Sequence, residues 1–281
     1  MKLYITIAAH YVESRLPFLE RVLKSVAAIP TQHTKVIIHT NDLSEAEADK
    51  IRATYANTGL DATIERVRNL THPYFLTWAH KAHMPEFLKT DYTHFAYLED
   101  DMEITQKTMD YWARTRKLFL TNGLNFIPAI HRVEYGFWGK PFSVDCTHTT
   151  PLDVGPKMTV ENKTFVGLDE PYQGMFIMDR ELVEEHIKSN SFRYETANPK
   201  FEIRERANLG NLFENVPPGF QHRALVPVDN FSDCWVHHNA NNYVKTRYSP
   251  FGKLPVKVMF SPNYVPPTNY FRAVLKRLGK I

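Results

Sequence analysis

Three consecutive carboxylates, Glu99-Asp100-Asp101, directly follow a run of apolar and aromatic residues at 94–98. Three neighbouring negative charges repel one another unless a cation or hydrogen-bond donors compensate them. The preceding run is typical of a strand that is mostly buried, so we expect a positive partner beside the cluster. Oxygen ligands favour a hard ion such as Mg²⁺ or Mn²⁺, which would also grip the two phosphates of a nucleotide diphosphate.

The first half of the chain alternates strand-like and helix-like segments, which predicts an α/β fold with a mainly parallel central sheet. Strands are predicted at 3–9, 35–39, 62–67 and 94–98, and helices from Leu16, from about 44 to 55, and after His72-Pro73 to about 88. Ser44 and Glu47 fit a capping box at the second helix. Open α/β sheets bind ligands outside the carboxyl ends of their strands. The acidic cluster therefore lies where a ligand is expected.

This order of elements resembles the GT-A class of glycosyltransferases, whose Asp-X-Asp motif follows a central strand. Here the motif reads Glu99-Asp100-Asp101, and the likeness covers roughly residues 1–125. The resemblance implies a Rossmann-type sheet flanked by helices, a nucleotide-sugar donor, UDP-sugar by family habit, and Mn²⁺ or Mg²⁺ as cofactor. It also implies Asp101 as a direct metal ligand and Glu99 and Asp100 as donor-binding residues. The resemblance does not decide whether Glu99 or Asp100 faces the ribose, because Glu99 stands where the family motif has its first Asp.

Four more residues are donor-binding candidates by the same resemblance. Tyr11, in the loop after the first strand, would stack on the base, and Arg15 would meet phosphate. Asp42 follows the second strand, where the family commonly places an acidic residue against base or ribose. Lys81, before the acidic strand, would reach the diphosphate. An ordinary Asx turn at Asp42 and a surface arginine near a helix start at Arg15 are the alternatives.

Histidines offer further metal ligands. The family often supplies a third ligand, frequently His, from a late segment, and His237 and His238 both fit that description. The sequence does not choose between them. His80 and His83 are three residues apart, with His72 nearby, and this grouping is a candidate zinc site. No cysteine or carboxylate completes it at characteristic spacing.

Asp169 and Glu170 are the catalytic candidates. In inverting members of the family a carboxylate after the metal motif deprotonates the acceptor hydroxyl, and a retaining enzyme needs no such base. The stereochemistry stays open, and a polar loop before a strand is the alternative. That strand is predicted at 172–178, with helices at 181–188 and across 201–213. We divide the chain into a nucleotide-sugar-binding half at 1–124, an acceptor-binding half of the same domain at 125–252 and a basic tail at 253–281.

The basic charge is concentrated at one end. The net charge is +3, yet eight Lys or Arg and no acidic residue follow Asp233. Phe271, Val274, Leu275 and Leu278 fall on one face of a predicted helix whose other face is basic. Such a helix predicts peripheral contact with an anionic membrane, which would suit a glycan or lipid-linked acceptor. Docking on the protein's own core is the alternative.

The remaining features narrow the function classes. The chain has only two cysteines, no stretch of about 18 apolar residues, and an apolar start too short for a signal peptide. We therefore expect a cytoplasmic protein, in contact with the inner face of the membrane if the tail binds there. A sugar nucleotidyltransferase would need a Gly-rich loop after the first strand, and 8–15 contains no glycine. A non-catalytic nucleotide- or glycan-binding module is the other alternative, and no recognised motif supports nucleic-acid binding.

Overall fold

The structure is a computed structural model that describes residues 1–146, 156–168, 171–246 and 249–261. In these ranges the strands are β1 (Lys2–Ala8), β2 (His33–Asn41), β3 (Asp61–Val67), β4 (His94–Glu99), β5 (Met102–Glu103), β6 (Ile127–Pro128), β7 (His131–Tyr135), β8 (Pro141–Ser143), β9 (Lys157–Val160), β10 (Lys163–Gly167), β11 (Met175–Asp179), β12 (Ala224–Pro227), β13 (Trp235–His238) and β14 (Leu254–Pro255). The α-helices are α1 (Leu16–Ala27), α2 (Glu45–Tyr55), α3 (Met84–Leu88), α4 (Gln106–Thr121), α5 (Arg180–Lys188), α6 (Ile203–Leu209) and α7 (Asn242–Lys245). The 3₁₀ segments are Glu13–Arg15, Pro73–His83, Phe137–Gly139, Asn190–Phe192, Gly210–Phe213, Phe231–Cys234 and Val256–Val258.

The central sheet has the strand order β11-β4-β1-β2-β3. Strands β4, β1, β2 and β3 run parallel, and β11 pairs antiparallel with β4 at one edge. Six of the seven residues of β1 are buried, as expected for a parallel strand covered on both faces. The predicted α/β class with a mainly parallel central sheet is confirmed.

The first two helices form as their sequences predict. In α1 the buried residues Leu19, Val22, Leu23 and Val26 share one face, which packs on the sheet. At the start of α2 the Ser44 hydroxyl accepts from the Glu47 N–H, and the Glu47 carboxylate accepts from the Ser44 N–H at 2.8 Å. The predicted capping box is confirmed.

Three elements differ from the prediction because Pro or Gly interrupts them. The helix predicted to follow His72-Pro73 is a 3₁₀ segment over Pro73–His83, and α-helix resumes only at Met84. Pro85 lacks the N–H that a continuous α-helix would need there. Gly174 and Gly210 have positive φ, at 62° and 45°, so β11 begins at Met175 and α6 ends at Leu209. Helix α4 is not among the predicted elements.

The second half forms two smaller sheets. Their strand orders are β6-β12-β10-β9 and β14-β8-β7-β13-β5. The second of these sheets includes β5, which directly follows the acidic cluster in sequence, so the late strand β13 is brought beside that cluster.

The main hydrophobic core contains residues of both halves. Ile5 and Ile38 belong to the same buried cluster as Ile177, Leu182 and Val236. The division of roles between 1–124 and 125–252 stays a prediction, and the helix predicted around 271–278 lies outside the described residues. No helix in the described part of the chain is long and apolar enough to cross a bilayer.

Candidate functional site

A polar cavity of about 280 Å³ opens at the carboxyl ends of β1 and β4. Such an edge is where open α/β sheets bind ligands. Its lining residues are Ala8, His10, Arg15, Pro73, Tyr74, Leu76, Thr77, Glu99, Asp100, Asp101, Arg132, Arg204, His238, Asn242 and Tyr243. The predicted site residues Arg15, Glu99, Asp100, Asp101 and His238 are therefore brought together here.

Arg15 lies against two of the three carboxylates. It sits at the end of the 3₁₀ turn after β1, and its Nε donates to Asp100 Oδ2 at 2.9 Å. Its Nη2 also bonds Asp100 Oδ1 and donates to Asp101 Oδ2 at 2.8 Å. Burial raises the pKa of Asp100, and the guanidinium offsets only part of that rise. The positive partner expected for the acidic cluster is, in this structure, an arginine.

Asp101 also faces His238. The His238 Nε2 lies 3.3 Å from Asp101 Oδ2, and its Nδ1 lies 2.6 Å from Glu134 Oε1. Burial alone would lower the pKa of His238, but the two carboxylates raise it to about 9. Burial would likewise raise the pKa of Asp101, yet His238 and Arg15 hold it below its usual range. These residues form an ion-paired chain from Glu134 through His238 to Asp101.

Strand pairing explains why His238, rather than His237, reaches the acidic cluster. Strand β13 pairs antiparallel with β5, which places His238 opposite Met102 and His237 opposite Glu103. Successive side chains of a strand point to opposite faces, so only one of the two histidines can face Asp101. His237 instead lies 3.5 Å from Glu103 and packs on the ring of Tyr135.

Asp101 has the properties of a cation ligand. Its Oδ1 is buried and has no hydrogen-bond partner among the described residues. A buried carboxylate oxygen without a partner is costly, and a divalent cation would satisfy it. His238 lies beside Asp101, and its imidazole would lose the proton that it holds in the ion pair when its Nε2 joins the ligands of the ion. The residues present therefore fit the predicted metal.

Glu99 is the last residue of β4, and its carboxylate is contacted by Tyr172 and Arg204. The hydroxyl of Tyr172 donates to its Oε1 at 2.6 Å, and Arg204 Nη1 lies 3.9 Å from its Oε2. Burial raises the pKa of Glu99. The Gly174 carbonyl accepts from the Glu99 N–H at 3.0 Å, so the segment leading into β11 lies directly against this carboxylate.

Two arginines and one glutamate of the site were missed by the sequence analysis. Arg132 pairs with Asp145 through a 2.6 Å bond to Oδ1, and both Arg132 and Arg204 stack near the ring of Tyr172, at 5.2 and 5.6 Å. Arg132 and Glu134 stand two apart in β7 and so share a face. In the sequence, the signal that could have identified Arg132 and Glu134 was this pair of opposite charges, two residues apart, within a short run of strand-forming residues. Arg204 gave none, because a charged helix residue is ordinarily exposed.

Three predicted donor-binding residues do not line the cavity. Tyr11 is tied through its N–H to Asn41 Oδ1 at 2.7 Å, and Asp42 is largely exposed with Arg68 3.9 Å away. Lys81 is buried elsewhere, where its Nζ donates to the Ser191 carbonyl at 2.6 Å and lies 4.0 Å from the centre of the Trp78 ring. Lys81 thus lies outside the cavity lining in this structure, and its contact with a diphosphate stays a prediction.

The two catalytic candidates, Asp169 and Glu170, lie outside the described residues. Tyr172, which follows Glu170 by two residues, contacts Glu99 and has its ring beside Arg132 and Arg204. The described chain thus resumes next to the cavity.

Comparisons with known proteins give distant structural likenesses. No protein-family model matches the chain, and no curated protein matches it in sequence. The chain is similar to TarS 1-349 of S. aureus, at 13% identity and a TM-score of 0.44 over 85% of this chain and 61% of that one. For the same protein in complex with UDP-GlcNAc the values are 14%, 0.38, 66% and 47%.

The glycosyltransferase GlyE of Streptococcus pneumoniae TIGR4 is similar at 14% identity and a TM-score of 0.39, over 78% of this chain and 44% of that one. This chain spans less than two thirds of the length of each of these structures. At this distance the likeness carries no functional argument, and the function rests on the site itself.

Proposed function

We propose that this protein is a metal-dependent glycosyltransferase that moves a sugar from a nucleoside diphosphate donor, a UDP-sugar by family resemblance, to a hydroxyl of a glycan or lipid-linked acceptor. One observation carries the proposal. Asp101 lines a cavity at the carboxyl ends of parallel strands, where its Oδ1 is buried without a partner among the described residues and its Oδ2 lies 3.3 Å from His238 Nε2. Three arginines line the same cavity.

The chain's own residues have distinct proposed roles. Arg132 and Arg204 offer planar guanidinium groups of the kind that recognise phosphate with two parallel hydrogen bonds. Tyr74 and Tyr243 offer aromatic faces on the cavity wall. Glu99, whose carboxylate accepts from the Tyr172 hydroxyl, would accept hydrogen bonds from the hydroxyl groups of the nucleotide-sugar donor.

Asp101 and His238 would hold the cation, which would neutralise charge that develops on the departing diphosphate. Arg15 would release Asp101 Oδ2 and keep Asp100 when a cation binds, because its Nε and Nη2 already contact both oxygens of Asp100. Asp169 or Glu170 would deprotonate the acceptor if the reaction inverts configuration.

The arginine that already compensates Asp100 and Asp101 favours one specific alternative, a nucleotide-binding site that works without metal. A thermal-shift screen separates the two. Nucleoside diphosphates and their sugars are added with and without Mn²⁺, since a ligand that binds only the native state raises its stability. We expect a shift that requires both the nucleotide and Mn²⁺, followed by release of nucleoside diphosphate from the matching sugar donor.

Asp101→Asn should lose the Mn²⁺-dependent shift while keeping the wild-type melting temperature within a few degrees. Asp49→Asn, at an exposed carboxylate on α2, is the matched control and should behave as wild type. A nucleotide shift of equal size without Mn²⁺ would support the metal-free binding site instead. No shift with any nucleotide under either condition would refute both.

We also propose that the basic segment 253–281 brings the protein to the cytoplasmic face of an anionic membrane. Its support is the charge pattern alone, since each basic residue near such a surface contributes about 1 kcal/mol. This location would place the cavity near a lipid-linked acceptor.

A further inference from the structure

A second group of metal-ligating side chains lies on β2, β3 and the 3₁₀ segment Pro73–His83. His39, Glu65 and His83 each offer one ligand atom, and these atoms all lie within 4.8 Å of one another. His83 Nε2 is 3.0 Å and His39 Nδ1 is 3.7 Å from the same oxygen, Glu65 Oε2. The three residues are far apart in the sequence. The spacing of the histidines alone therefore could not identify Glu65 as the carboxylate of the site.

The sheet register builds one side of this cluster. His39 and Glu65 are partners on parallel neighbouring strands, so their side chains project side by side from one face. The 3₁₀ segment crosses that face and brings His83 over them, with its ring 4.9 Å from that of His39. The carboxylate is half-exposed and offers a path for an ion from solvent.

His39 contributes a buried imidazole to the cluster. Its side chain is buried, and neither ring nitrogen has a hydrogen-bond partner there. Burial lowers its pKa to about 3, so the ring is neutral and keeps a lone pair. Neutral imidazole is the form that binds metals.

His83 is oriented as metal-bound histidines usually are. Its Nδ1 lies 3.1 Å from the Tyr4 hydroxyl and 3.3 Å from Glu86 Oε2. A proton on Nδ1 directed at Glu86 leaves Nε2 free to ligate, which is the usual arrangement around a bound histidine. His80, by contrast, points its Nδ1 at the Thr77 carbonyl at 2.6 Å and takes no part.

We propose that His39, Glu65 and His83 form a binding site for a divalent transition-metal ion, zinc foremost. Two imidazoles and one carboxylate, with water as the fourth ligand, are a zinc ligand set, whereas Mg²⁺ prefers oxygen alone. The site differs from the acidic cluster in its residues and in the metal it selects, and it does not rest on the proposed glycosyltransferase function.

The ion would fix one wall of the candidate cavity. Pro73, Tyr74, Leu76 and Thr77 line that cavity and belong to the same 3₁₀ segment as His83. Ala8, which also lines it, is the register partner of His39. Metal binding would therefore tie the segment to the sheet beneath the cavity.

The test uses the full-length protein, stripped with a chelator and titrated with Zn²⁺ and Co²⁺. In the absence of nucleotide, on which metal binding at the acidic cluster is expected to depend, one equivalent of Co²⁺ should give the visible absorption of a low-coordinate nitrogen and oxygen site, and Zn²⁺ should displace it. Glu65→Gln, at a half-exposed position that should not disturb folding, should abolish this absorption. Glu86→Gln, which replaces the charged acceptor at His83 Nδ1 with a neutral amide, should weaken zinc binding about 10- to 100-fold.

Two controls locate the ion. Glu20→Gln, at an exposed carboxylate on α1, and Asp101→Asn, in the acidic cluster, should both keep full Co²⁺ absorption. The proposal is overturned if wild type binds no Co²⁺, if Glu65→Gln binds it as wild type does, or if Asp101→Asn abolishes binding. The absorption reports the metal directly, so failure of sugar transfer leaves this result unaffected.

Discussion

At the residue scale, Arg15 is the cation that this structure places on the acidic cluster. Asp100 and Asp101 are both almost fully buried, so removing the guanidinium leaves Asp100 without its main partner and Asp101 with His238 alone. Because Arg15 is itself one-third exposed, we expect Arg15→Gln to cost about 1–3 kcal/mol of unfolding free energy in the absence of metal. Chemical denaturation measures this cost.

Mn²⁺ should restore part of that loss, because the ion and the guanidinium neutralise the same carboxylates. We therefore expect Mn²⁺ to stabilise Arg15→Gln more than it stabilises wild type. An equal or smaller effect of Mn²⁺ on the variant would contradict competition between the arginine and a metal. Arg21→Gln, on the exposed side of α1, serves as the charge-matched control.

Glu134 is a positioning residue for His238. Its Oε1 accepts from His238 and from the Tyr243 N–H at 3.2 Å, and its Oε2 accepts from the Val244 N–H at 2.7 Å. Loss of such a partner typically weakens metal binding about 10- to 100-fold, so we expect that change in Mn²⁺ affinity for Glu134→Gln. Titration of the nucleotide-dependent thermal shift with Mn²⁺ checks it. A variant that lowers only the melting temperature and leaves Mn²⁺ affinity unchanged would assign Glu134 a structural role.

At the scale of elements, the 3₁₀ segment Pro73–His83 carries a lysine whose burial makes stability depend on pH. Lys81 is 5% exposed, and burial lowers its pKa to about 7. Between that value and the ordinary lysine pKa the unfolded chain holds a proton that the folded protein lacks. The lysine's contribution to stability therefore falls as pH drops from about 10 to about 7, and is constant below that.

Lys81→Met removes this penalty together with the hydrogen bond to Ser191. The unfolding free energy of the variant minus that of wild type should increase by roughly 2–4 kcal/mol when the pH is lowered from 10 to 7. Denaturation at both pH values measures this difference, with the exposed Lys89→Met as control. A difference between Lys81→Met and wild type that does not change with pH would show that Lys81 is charged in the folded protein.

The C-terminal tail is the second element with a testable property. We expect the full chain to sediment with phosphatidylserine vesicles and not with neutral ones, and a chain ending at residue 267 to remain in the supernatant with both. Added salt should release the full chain, because the attraction is electrostatic. A truncated chain that no longer unfolds cooperatively would favour docking of the tail on the core instead.

At the scale of the whole molecule, the two halves named from sequence share one core. Strand β11 pairs with β4 in the central sheet, and Leu182 and Val183 of α5 are buried in the same cluster as β1. A fragment of residues 1–124 would expose this surface and lack an edge strand. We expect it to show no cooperative thermal transition by circular dichroism, whereas the full chain does. A cooperative transition in the fragment would show that the first half is an independent domain.

The sequence by itself determined the local elements of the first half and the place of the acidic cluster. Apolar runs, helical periodicity and the Ser44–Glu47 box depend on residues close together in the chain, and the four parallel strands form where those patterns predict them. Their carboxyl ends then share one edge of the sheet, because parallel strands run in the same direction. Asp101 could be placed at that edge with no knowledge of the rest.

Only the tertiary structure decided which distant residues join that edge. The one-residue register of β13 against β5 selects His238 over His237, and a shift by one residue would exchange them. The local sequence around Arg204 carries no mark of the site, and the opposite charges of Arg132 and Glu134 in β7 do not show which cavity they reach. His39, Glu65 and His83 come together only because the 3₁₀ segment crosses β2 and β3. Sequence patterns indicate which face of an element is apolar, whereas contacts between residues far apart in the sequence depend on how whole elements pack against one another.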